Sequence, residues 1–122
     1  MKIKLNILKE QQVGRVILNV GKRKFETSRR TLTSDPSSLL AAMTNRNSPI
    51  KPSNDTYFID ENPCYFDFVL DYLKSPGAFP NIPPSDFTVL RQLYVEGKFY
   101  SLSGLVLTVE KKGQSEPLWK EN

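Results

Sequence analysis

The chain contains no histidine and a single cysteine, Cys64. Without histidine the commonest general base, the imidazole metal ligand and the usual serine and cysteine triads are all missing. One cysteine rules out a disulfide within the chain and suits a reducing compartment. It also makes a structural zinc site within one chain implausible, because carboxylates alone rarely build one. No apolar run nears the roughly 20 residues of a membrane span. The first eight residues, Met1 to Leu8, alternate lysines with aliphatics instead of placing a basic region before a continuous apolar stretch, which makes a poor signal peptide. These absences predict a cytoplasmic or nuclear chain that is not an enzyme, needs no cofactor and makes no membrane contact.

What is present is enough for one domain. The 122 residues can bury a core, although 39% hydrophobic residues and nine prolines leave much of the chain to loops and tails. A formal net charge of +4 raises nucleic acid as a partner. The densest basic cluster, Lys22, Arg23 and Lys24 with Arg29 and Arg30 behind it, falls on a hairpin turn and its exit. Solvated turn charges are the preferred reading there, and a nucleic-acid-binding module is kept as the contrasting class.

Residues 1–14 form an N-terminal extension or edge strand, since Ile3, Leu5 and Ile7 alternate with Lys2, Lys4 and Asn6. A domain over 15–111 follows, and 112–122 is a polar tail interrupted by Trp119. Within the domain, Val16, Leu18 and Val20 share one strand face, Gly21 turns the chain, and Phe25 and Thr27 lie on the returning strand. Asp35-Pro36 and Asn62-Pro63 both have the cap-plus-proline form of a helix start. Residues 45–55 read as an exposed, mobile loop. Tyr57 to Ile59 is a third strand. Phe66, Val69, Leu70 and Leu73 have helical core spacing, and Ser75-Pro76-Gly77 ends that helix. A third helix turns Phe87, Leu90, Leu93 and Tyr94 inward and stops at Gly97, and a last helix runs to about Lys111. The fold class is α+β, with Phe25, Phe58, Phe66, Leu70 and Leu73 in the core.

In order, Val16-Ile-Leu-Asn-Val-Gly21, Phe25-Glu-Thr27, Thr31-Leu32 with Pro36 to Leu40, Tyr57 to Asp60, Phe66 to Leu73 and Lys98-Phe-Tyr100 resemble the BTB/POZ fold in its potassium-channel tetramerisation form. That form is shared by voltage-gated potassium-channel N-terminal domains and soluble KCTD proteins. The resemblance implies a small three-stranded sheet flanked by helical hairpins, and self-assembly into a tetramer or pentamer. It further implies an adaptor role, in soluble members often for a cullin-type ubiquitin ligase; assembly of a channel is the alternative. Three departures stand out. Lys22 follows Gly21 where the family has a second small residue, which costs stability if that position requires a positive φ. Glu61 stands where the family has arginine, reversing a charge where neighbouring subunits commonly meet. The histidine and cysteine ligands of an inter-subunit zinc cannot be placed.

Within that frame Asp60, Glu61, Asp67 and Asp71 form a candidate subunit-facing stripe, with Asp67 and Asp71 one helical turn apart. Arg23, Lys24, Arg29 and Arg30 of a neighbouring chain are their candidate partners. Phe79 and Ile82, in a proline-stiffened loop, are a candidate partner surface, on the side a cullin-type scaffold engages. Cys64 is expected to be structural and partly buried.

Overall fold

The computed structural model describes residues 1–78 and 86–112. Phe79, Ile82 and Trp119, singled out above, lie outside those residues. The elements are α1 (Lys2–Val13), β1 (Arg15–Val20), β2 (Arg23–Ser28), α2 (Arg29–Leu32), α3 (Leu39–Thr44), β3 (Thr56–Ile59), α4 (Phe66–Lys74), a 3-10 turn (Pro76–Ala78), α5 (Phe87–Phe99) and α6 (Ser103–Lys112).

β1 is the central strand. It pairs antiparallel with β2, Leu18 opposite Phe25, and parallel with β3, Leu18 opposite Tyr57. Alternation along β1 sends Val16, Leu18 and Val20 to a single buried face. Phe66, Val69, Leu70 and Leu73 of α4, Leu90 and Leu93 of α5, and Leu105 and Val109 of α6 complete the same core. Phe66 sits at its centre, meeting the Phe25 ring edge-on at 4.9 Å and the Tyr100 ring at 5.4 Å. Such edge-to-face pairs add to the area that each ring buries. α5 and α6 form a helical hairpin, so the α+β architecture with helices flanking a small sheet is as expected.

Several local readings change. Residues 2–13 are a helix and not an edge strand. Their period-2 pattern has no neighbouring strand to answer its backbone groups, whereas a helix pairs them within itself. None of its residues is buried. The Asp35-Pro36 segment forms a turn in which Asp35 Oδ1 accepts from the Ser37 amide at 3.1 Å; the helix starts later, where Ser38 Oγ accepts from the Ala41 amide at 3.1 Å. Likewise Asn62 Oδ1 accepts from the Cys64 amide at 2.9 Å, ahead of a helix that begins at Phe66. Cys64 therefore precedes the helix, and it is exposed instead of partly buried.

Phe58 is also misplaced by the sequence reading. Tyr57 takes the inward position opposite Leu18, so alternation turns Phe58 outward, where it is 66% exposed. Phe87, in the first turn of α5, is likewise exposed. Gly97 does not end α5, which continues to Phe99. It lies where α6 crosses, and a Cβ there would stand 2.9 Å from Val106 Cγ2. The loop over 45–55 is mostly exposed but pinned: Ser48 is buried, and the amide of Ile50 donates to its Oγ at 3.1 Å.

Candidate assembly surface

The hairpin turn at one end of the sheet is tight. Gly21 and Lys22 both have left-handed φ, 53° and 75°, as a two-residue turn between right-twisted strands requires. The Gly21 amide donates to the Ile59 carbonyl at 2.9 Å. A Cβ on Gly21 would overlap the Glu61 carbonyl oxygen. The Asp60-Glu61 turn is thus pressed against the hairpin. Arg23 Nη2 donates to Asp67 Oδ2 at 3.0 Å within the same chain, with both side chains more than half exposed, and its guanidinium lies over the Phe25 ring at 4.9 Å. So one cation and one carboxylate of the proposed inter-chain set already meet within one subunit. Asp60 and Asp71 are exposed and Glu61 is half-buried.

Arg29 and Arg30 stand elsewhere, at the far end of β2. The Arg29 amide donates to the Gly14 carbonyl at 2.7 Å and its Nε donates to the Thr44 carbonyl at 3.0 Å. Arg29 is therefore a half-buried tie between three segments, while Arg30 is exposed. Lys24 lies opposite Asn19, on the strand face that also carries Ile17 and Phe58. On that outer face Asn19 Oδ1 is buried without a hydrogen-bond partner. An exposed phenylalanine beside an orphaned acceptor is a costly surface to leave bare.

A second polar cluster, at the C-terminal end of α5, escaped the sequence reading. Glu96 is 3% exposed, and its Oε1, like the Tyr100 hydroxyl, has no hydrogen-bond partner. Burial pushes the Glu96 carboxyl up to about 7; a hydrogen bond from Gln92 opposes this and the charge of Glu61 adds to it. Burial, then Glu96 and Glu61, also raise the Tyr100 phenol. The signal was present: Glu96 lies three residues after Leu93, on the stripe that carries Leu90 and Leu93 inward. No group of three or more potential metal ligands occurs among the described residues, nor is any helix there long and apolar enough to cross a membrane.

A BTB/POZ domain model matches residues 16–109. The chain belongs to the BTB/POZ family. Its relatives place it with the potassium-channel tetramerisation type. It is 38% identical over 92 residues to the potassium channel regulatory protein of Mus musculus, covering 75% of this chain and 34% of that protein. It is 34% identical over 100 residues to BTB/POZ domain-containing protein KCTD5 of Homo sapiens, covering 80% and 41%. Human potassium voltage-gated channel subfamily A member 4 is 36% identical over 91 residues, covering 72% and 13%. The chain thus spans well under half the length of each. Membership makes this BTB/POZ domain a protein-interaction and oligomerisation domain.

Proposed function

We propose that this BTB/POZ domain self-assembles head to tail into a tetrameric or pentameric ring, and that the ring serves as an adaptor joining other proteins. The observation that carries the reading is the outer sheet face, where Phe58 stands 66% exposed. A head-to-tail contact needs two different, complementary surfaces on each copy. The sheet face with Phe58, Asn19 and Lys24 supplies one. The exposed stripe of α4, Asp67 and Asp71, with Asp60 and Glu61 before it, supplies the other. Lys24 meets Asp60, Glu61 and Asp71 across the contact, while Arg23 and Asp67 stay paired within their own chain. Arg29 and Arg30 take no part in this version, since Arg29 is committed to its own chain.

A cullin-type ubiquitin ligase scaffold is the most specific partner for such an adaptor, working in the cytoplasm or nucleus without catalysis by this chain. The alternative is the assembly of a potassium channel, favoured by the likeness to a voltage-gated channel subunit.

Light scattering tests the assembly. The wild-type chain is expected at four or five chain masses, and Phe58→Glu at one, with an unchanged circular dichroism spectrum because Phe58 supports no core contact. A wild-type mass of one chain sinks the ring. An oligomer that survives Phe58→Glu moves the contact off this face.

A further inference from the structure

Beside α1 lies a cleft that the assembly reading does not use. It has a volume of about 540 Å³, within the range of ligand-binding clefts, and lies between α1, α2 and the residues after α3. Lys9, Arg29, Arg30 and Arg46 line it against one acid, Glu10. None of the four cations forms an ion pair among the described residues. Two of the four are tied to the fold. Arg29 is anchored by its Nε to the Thr44 carbonyl, and its amide to the Gly14 carbonyl fixes where α1 ends. Lys51 Nζ donates to the Arg46 carbonyl at 3.0 Å, which holds the backbone at Arg46. Asn6, Lys9, Glu10 and Val13 fall at i, i+3, i+4 and i+7, so one face of α1 forms the whole wall.

We infer that this cleft binds an extended acidic segment of a partner protein, one carrying closely spaced aspartates or glutamates. Charge complementarity supports this directly, because like-signed groups crowded into a concave site focus the field on an anion. The lining also selects among anionic partners. Among the described residues it has no aromatic side chain to act as the stacking platform of a single-stranded nucleic-acid site. Of the exposed aliphatics of α1, Ile3 shares the cleft-facing side while Leu5 and Leu8 lie away from it, so they spread around the helix and do not make the single apolar face of a membrane-surface helix. Val13, exposed within the cleft, and the Asn6 and Thr33 side chains suit a peptide, which brings both apolar and hydrogen-bonding groups. The inference goes beyond self-assembly and does not depend on it. α1 precedes the family-matched residues 16–109, so the wall that completes the cleft lies outside that match.

The test uses the full chain and a fluorescein-labelled heptaglutamate peptide, followed by anisotropy at rising salt. Binding is expected to be saturable, and to weaken at least tenfold in Arg30→Glu/Arg46→Glu, in keeping with the loss of several charge pairs. Lys22→Glu/Lys111→Glu carries the same change of net charge at exposed sites outside the cleft and is expected to bind as the wild type does. Equal loss in both pairs means that net charge alone is read, and overturns the inference. So does a wild-type chain that ignores the peptide, or one that binds oligo-dT or phosphatidylserine vesicles more tightly than the peptide. A changed solution mass in the cleft variant would make a second copy the occupant, which also overturns it; an unchanged mass with lost binding supports it.

Discussion

Lys22 sits at φ 75°, a conformation that a side chain with a Cβ adopts only at a cost. It is exposed and forms no ion pair among the described residues, so nothing in its own surroundings offsets that strain. Lys22→Gly is expected to stabilise the domain by about 0.5–1 kcal/mol, since relief of the left-handed strain outweighs the added freedom of the unfolded chain. The midpoint of urea unfolding measures it, and a lower midpoint would show that the turn is not strained. Glu96 gives a second residue-scale expectation, in pH. Its folded-state value of about 7 lies above the ordinary 4.5, so the folded chain holds this proton more tightly than the unfolded one. The resulting stabilisation is complete below about pH 4.5 and is lost as pH rises through 7. Glu96→Gln is expected to remove a fall in stability on the order of 1–3 kcal/mol across that window. With no histidine in the chain, few other side chains change charge there. An unchanged pH slope in the variant would place the titration elsewhere.

Among the elements, α1 is the outlier. A helix of 12 residues that buries none of them has little packing to stabilise it, and short helices alone are marginal in water. Among the described residues it is tied to the domain by hydrogen bonding through Gly14, whose carbonyl accepts from the Arg29 amide. Deleting residues 2–13 while keeping Gly14 is therefore expected to shift the unfolding midpoint by less than about 1 kcal/mol. The same deletion removes the wall of the basic cleft and should abolish heptaglutamate binding. A large loss of stability would mean that α1 packs more firmly than its exposure shows. α1 also marks where the sequence was hardest to read. Ile3, Leu5 and Ile7 alternate as a strand would, and the residues themselves give no sign that no other strand lies beside them. Phe66, Val69, Leu70 and Leu73 were legible for the opposite reason, because their spacing matches one period only and four apolar residues share it.

At the scale of the molecule, the fold was readable from the order of its parts, while the surfaces were not. Val16, Leu18, Val20 and Phe25 report directly on the sheet's buried face. Phe58 could not be separated from Tyr57 by composition, since two adjacent aromatics on a short strand leave the choice of face to the partner strand. The eight charges proposed as one inter-chain set are divided by the fold into two places. Arg23 and Asp67 meet at the hairpin turn, whereas Arg29 joins Gly14 and Thr44 at the other end of the strand. Sequence proximity of 29 and 30 to 23 and 24 hid that separation, because a six-residue strand carries the chain across the whole sheet.

The central place of β1 has a consequence for how the protein is made. Its first neighbour, β2, emerges from the ribosome at once, but its second, β3, begins at Thr56, and α4, α5 and α6, which complete the core, come later still. At about 5–20 residues per second, Val16, Leu18 and Val20 wait for seconds as a bare hairpin face with one open edge. The best-buried strand of the finished domain is thus the longest exposed in the nascent one, and it is there that a chaperone or a premature encounter between two growing chains would act.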